Sequence, residues 1–176
     1  MMAEFLQHLL NGLMIGGIYA LMGIGLTLIF GIMNVVNFSH GEFYMLGAFG
    51  VLTLFTFMGV PYVLSLVLTA VFFFMFGSVI ERLILRPLRS QPVEVPMLAT
   101  IGLSIFLANI ALIIWDPTPK DIGMPFPLVA VQVGPVSLTP IRLFVFFAAL
   151  VLIAGSHLFL KYTTLGTAIR ATFQDR

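Results

Sequence analysis

Polar side chains interrupt this chain where an apolar helix would otherwise run on. From Asn34 to Gly47 the order is Asn-Val-Val-Asn-Phe-Ser-His-Gly-Glu-Phe-Tyr-Met-Leu-Gly, with long apolar runs to either side. Asn34, Asn37, Ser39, His40 and Glu42 stand close enough together to break the hydrophobic signal. The rest of the chain makes that break costly. The 176 residues are 60% hydrophobic and 9% charged, with a mean hydropathy of +1.13, whereas a soluble domain carries about 25% charge. This is the composition of an integral membrane protein. Unpaired polar groups facing lipid are expensive, so the break must be buried in protein or line a cavity. Ser39-x-x-Glu42 also has capping-box spacing, in which Ser39 accepts from the amide of residue 42 and Glu42 reaches back to the amide of Ser39. The local expectation is a helix, a polar turn and a new helix that continues apolar from Phe43 to Met58.

Apolar runs over residues 9–33, 62–80, 95–115 and 141–160 predict membrane spans. Residues 40–58 would reach roughly 28 Å as a helix, so both a crossing and a re-entrant half-span fit their length. In the first span Gly12, Gly16 and Ala20 recur every four residues, as do Gly23, Thr27 and Gly31, giving faces that admit a close helix neighbour. Gly59-Val60-Pro61 predicts a turn. Thr100 and Ser104 sit inside a span, where such hydroxyls commonly bond their own helix carbonyls. Trp115 falls at an interfacial position.

Charge sets the expected orientation. Arg82, Arg86 and Arg89 follow a span directly, and Lys161, Arg170 and Arg176 follow the last one. The positive-inside rule places both groups on the cytoplasmic side. Residues 116–140 then lie outside. Pro117, Pro119, Pro125, Pro127, Pro135 and Pro140 forbid a long helix there. Val129, Val131 and Val133 alternate with other residues before Gly134-Pro135, which predicts a short hairpin or extended loop. Its shape suits either a cap on the bundle or a contact surface for a partner. The N-terminus lacks a secretory signature, so the first span is expected to be retained. The polar stretch up to Arg176 holds no helix-stop residue, so the chain is expected to be part of a longer protein.

Several functions are excluded. A net charge of +1 gives no case for nucleic acid as a partner. Cysteine is absent, which removes disulfides and thiolate metal sites. There is no G-x-x-x-x-G-K-[ST] loop and no H-E-x-x-H. His8, His40 and His157 lie on different segments, so no metal site is expected. Ser39 and His40 are adjacent and do not face each other on a helix, and Asp116 and Asp121 are outside the spans. The chain is not expected to be an enzyme.

The stretch from Asn34 to Ala48 resembles the signature of branched-chain amino-acid ABC transporter permeases of the LivH type, approximately N-x-x-N-F-[AS]-H-G-E-F-x-M-L-G-A. The opening Asn11-Gly-Leu-Met-Ile-Gly-Gly-Ile-Tyr-Ala-Leu is similar to that family, as are Glu81-Arg82, Leu85-Arg86-Pro87-Leu88-Arg89 and Leu98-Ala-Thr-Ile-Gly-Leu-Ser104. The resemblance covers essentially the whole chain. It implies one transmembrane permease domain over residues 1–176, with no cofactor, pairing with a second permease, cytoplasmic ATPases and a periplasmic amino-acid-binding protein in the inner membrane. The expected fold is all-α: a polytopic transmembrane helix bundle with a polar break near residues 34–42 and a short extended or hairpin outer loop. Asn34, Asn37, Ser39, His40 and Glu42 are the candidate substrate-pathway residues. Thr164, Gly166, Ala168 and Arg170 match the start of the family's ATPase-docking loop, T-x-x-G-x-A-x-R-A, with Thr167 departing from the Arg often found there. Residues 164–176 are expected to be helical. A urea or short-amide permease, or a non-transporting membrane scaffold, stands as the alternative.

Overall fold

A computed structural model describes residues 2–33, 35–122, 131–133, 136–164 and 166–167. Among the described residues the fold is all-α apart from one pair of short strands. Helix α1 covers Met2–Met33 and α2 covers His40–Leu52. A π-helical turn, Thr53–Phe57, extends α2. Helix α3 covers Tyr62–Ile80 and runs through a second π-turn, Glu81–Leu85, into the single turn α4, Arg86–Leu88. Helix α5 covers Glu94–Trp115 and α6 covers Pro140–Tyr162. Strands β1 (Val131–Val133) and β2 (Val136–Leu138) pair antiparallel, with Gln132 opposite Ser137. The valine alternation therefore does mark a hairpin.

Among the described residues four helices are long and apolar enough to cross a membrane: Glu4–Gly31, Tyr62–Leu88, Glu94–Trp115 and Pro140–Tyr162. The protein is a multi-pass membrane protein. Helix α2 is not one of the four. With the π-turn it runs over residues 40–57 and reaches about 25 Å, against about 30 Å of hydrocarbon. Gly59 sits at φ 67, where a side chain would be strained, and lets the backbone turn after α2. Pro61 then N-caps α3, its carbonyl accepting from Ser65 N at 2.9 Å, and Ser65 Oγ lies 3.2 Å from both Val60 O and Pro61 O, donating to one of them at a time.

The contacts fall into two groups, Met33–Gly123 and a second made of Met1–Ile32 with Met124–Arg176. In the first, Leu46 of α2 packs with Leu103, Leu107 and Ala111 of α5, and Phe73 and Phe76 of α3 close around them. Lipid supplies no hydrophobic drive for helix association, so closeness of fit has to hold these helices together. At Gly50 α3 packs tightly on α2: a Cβ there would stand 2.9 Å from Thr69 Cγ2. In the second group Met14 of α1 packs with Leu143 and Phe146 of α6. Gly17 faces Ala149, and Arg142 donates to Asn11 Oδ1 at 2.7 Å. Partners on the two helices rise together in number, so α1 and α6 run parallel. Gly17 makes the close approach. Gly12, Gly16 and Gly23 of the four-residue rows have open space where a Cβ would be, among the described residues.

The two glycines of α2 should respond differently to substitution. Gly47 has nothing within 4 Å of a Cβ position, so Gly47→Ala should be neutral or gain the usual helix preference, up to about 1 kcal/mol. Gly50→Ala must push α3 away and should cost about 1–3 kcal/mol. Thermal unfolding of the two variants in detergent checks this, and equal melting temperatures would contradict it.

Candidate functional site

The polar stretch folds into a tight turn before α2. The amide and hydroxyl of Ser39 both donate to Asn37 Oδ1, at 3.1 and 2.6 Å. The backbone closes around this knot: His40 N donates to Asn37 O at 3.2 Å, and Glu42 N and Phe43 N donate to Ser39 O at 3.1 and 3.3 Å. Asn37 and Ser39 are both buried, Ser39 completely. An asparagine side chain standing in for a backbone turn is a known local device.

This corrects the capping-box expectation. Ser39 occupies the N-cap position of α2, yet its side chain makes no capping bond. Its φ and ψ of −81 and 3 depart from the extended geometry that aims a hydroxyl at the first turn. Its hydroxyl proton goes to Asn37, and its amide is already satisfied there, so Glu42 has no orphan donor to answer. Glu42 instead accepts from Ser104 Oγ of α5 at 2.7 Å. Ser104 thus bonds across helices, not to its own carbonyl.

Thr100 ties the turn to α5. It is fully buried, and its Oγ1 accepts from Phe38 N at 3.3 Å. The same oxygen lies 2.9 Å from Met97 O and 3.3 Å from Val36 O. A hydroxyl has one proton, so it donates to one of these carbonyls at a time. At the far end Trp115 Nε1 donates to Thr53 Oγ1 at 2.9 Å, and its ring stacks on Phe49 at 4.9 Å. The pairs 38–100, 42–104 and 53–115 share one offset of 62 residues. Helix α2 therefore lies parallel to α5 in a fixed register. At 1.5 Å per residue, Thr100 is about 9 Å and Ser104 about 15 Å along α5 from Glu94, so Glu42 sits near the middle of a span.

The candidate residues divide accordingly. Asn37, Ser39, His40 and Glu42 come together at the start of α2, with His40 and Glu42 half-buried; Asn34 lies outside the described residues. Of the second set, Thr164 and Gly166 are helical, while Ala168 and Arg170 lie outside the described residues, as does most of 164–176. Thr163 breaks from α6 in extended geometry, and its Oγ1 accepts from Gly166 N at 2.9 Å, capping the new turn. The side-chain cap expected at Ser39 is found here. A Cβ on Gly166 would stand 2.5 Å from the carbonyl oxygens of Phe159 and Leu160, so only glycine fits this fold-back.

Sequence reasoning passed over Arg142. It is the one charged residue between positions 122 and 160, and it stands in the first turn of a helix, where a cation opposes the dipole. Those two signals were available. Among the described residues no cluster of His, Asp or Glu could hold a metal.

The turn's stability should rest on Asn37 more than on Ser39. Asn37→Ala strands a buried amide and a buried hydroxyl, at about 1–3 kcal/mol each. Ser39→Ala removes one donor and leaves Asn37 Oδ1 still bonded to the backbone. Thermal melts should therefore rank Asn37→Ala below Ser39→Ala, and the opposite order would mean a Ser39 cap dominates.

A model of the family described as branched-chain amino acid transport system / permease component matches residues 8–176. The chain is 36% identical, over 98% of its length, to the high-affinity branched-chain amino acid transport system permease protein BraD of Pseudomonas aeruginosa, and covers 60% of that protein. It is 29% identical to the LivH permease proteins of Salmonella typhimurium and Escherichia coli K12, over 97% of its own length and 59% of theirs. It thus spans about three-fifths of these relatives. No solved structure matches it. By the match over nearly its whole length, the chain belongs to the family of permease components of branched-chain amino acid transport systems, transporter parts and not enzymes.

Proposed function

We propose that the chain is part of the membrane-spanning permease subunit of an ABC importer that moves branched-chain amino acids across a bacterial inner membrane. The observation that carries this reading is the family match over residues 8–176. Residues 1–176 would act as one transmembrane permease domain beside a second permease, with cytoplasmic ATPases and a periplasmic amino-acid-binding protein. Residues 1–176 hold no G-x-x-x-x-G-K-[ST] loop, which fits a supply of energy from a separate ATPase. In this reading Arg82, Arg86 and Arg89 face the cytoplasm and residues 116–140 face outward.

The polar turn marks the substrate pathway, with Asn34, Asn37, Ser39, His40 and Glu42 at its wall. Asn37 and Ser39 are committed to each other, so they shape the path, and direct contact falls to His40 and Glu42. A carboxylate near mid-span is expensive unless it serves a polar route. Thr164, Gly166, Ala168 and Arg170 begin the ATPase-docking segment. The cap at Thr163 and the forced glycine at 166 favour a rigid element there, and a rigid element is what transmits motion from an ATPase.

Uptake by vesicles holding the assembled full-length transporter tests this. Leucine should accumulate only with internal ATP and the binding protein, and urea or acetamide should not compete. Accumulation of urea with none of leucine would refute the assignment.

A further inference from the structure

Resting on the importer reading above, we propose that the outer end of α2 and α5 holds a binding site for a zwitterionic amino acid with an apolar side chain, built on Asp116 and Lys120. A cavity of about 620 Å³ lies between these helices and the segment that follows α5, within the usual range for small-ligand sites. Met45, Leu52 and Leu112 form part of its wall, and Ile122 reaches over it. Among the described residues, Asp116 and Lys120 are the charged residues on its lining, one of each sign.

The two charges are held apart. Lys120 Nζ donates to Thr118 Oγ1 at 2.7 Å, and Thr118 N donates to Asp116 Oδ1 at 3.4 Å. Thr118 stands between them and uses one of the three ammonium donors. Pro117 and Pro119 fix φ on either side of it. Asp116 itself sits at φ 65 and ψ 152, a backbone region that favours glycine, while its amide bonds Leu112 O at 3.0 Å. A small neutral residue would fit that backbone better, and the carboxylate is there all the same. Strained backbone of this kind gathers at ligand sites.

The chemistry matches one class of ligand. A free anion would use Lys120 alone, and a free cation Asp116 alone. A zwitterion uses both: its carboxylate meets Lys120, its ammonium meets Asp116, and its side chain lies against Met45, Leu52 and Leu112. Both charged residues are exposed, so each contact is screened by water and binding is weak. Weak binding suits a site that must pass its ligand onward. The site is at the end of α5 remote from Arg86 and Arg89, the side from which an imported substrate arrives.

Saturation-transfer NMR titration of the assembled, detergent-solubilised transporter without its binding protein tests the site. Leucine is compared with isoamylamine, which lacks the carboxylate, and isocaproate, which lacks the ammonium. Wild type should bind leucine best. Lys120→Gln should weaken leucine about two- to fivefold, to the level of isoamylamine, and leave isoamylamine unchanged. Asp116→Gly relieves the backbone, removes the carboxylate, and should bring leucine down to the level of isocaproate alone. Unchanged leucine affinity in both variants, or an equal loss for all three ligands, overturns the site. Absence of leucine binding by wild type also overturns it. If that same preparation still takes up leucine in vesicles, the importer reading stands; if uptake is absent too, both fall.

Discussion

The structure depends on satisfying five residues of irregular backbone. Residues 35–39 leave the helix between α1 and α2, and in a membrane every such amide and carbonyl needs a partner inside the protein. Asn37 supplies one oxygen for two donors of Ser39, and Thr100 supplies a hydroxyl for Phe38 N and the carbonyls around it. Removing Asn37 or Thr100 would therefore strand buried polar groups of the turn. The turn can therefore exist only where α5 presents Thr100.

That dependence fixes much else. Because Thr100 holds the turn, α2 must start beside the first third of α5 and run alongside it. Glu42 then meets Ser104, and Thr53 meets Trp115, without further adjustment. Helix α3 packs against α2 through Gly50 and Thr69. A slip of one residue between α2 and α5 would lose all three cross-helix bonds at once. The cavity by Asp116 and Lys120 is a consequence of the same register, since it opens where α2 ends level with the end of α5.

The spans were legible because lipid demands long apolar runs, and composition alone marks them. The hairpin was legible from the alternation of Val131 and Val133 before the Gly134-Pro135 dipeptide. The polar break was legible as a break. Its bonding was not. The spacing of Ser39 and Glu42 is that of a capping box, but Asn37 sits two residues before Ser39 and Ser104 lies sixty-two after Glu42; the first competes locally and the second only in three dimensions. Nothing in a single sequence ranks those partners. Gly50 was equally hidden, because glycine is common in membrane helices and only the approach of Thr69 sets it apart from Gly47. Arg142 was readable and was missed, its isolation among apolar residues being the signal.

The parallel register of α2 on α5 is the central claim, and a distance measurement reaches it directly. The chain has no cysteine, so spin labels can be placed in pairs at 42 and 104, at 53 and 115, and at 42 and 115. Double electron–electron resonance on the assembled transporter should give short, similar distances for the first two pairs. The third should be clearly longer, because the rise of eleven helical residues, about 16 Å, is added at right angles to the spacing between the helices. A short distance between 42 and 115, with long ones for the matched pairs, would mean that α2 runs antiparallel to α5, and the account of the polar turn would be wrong.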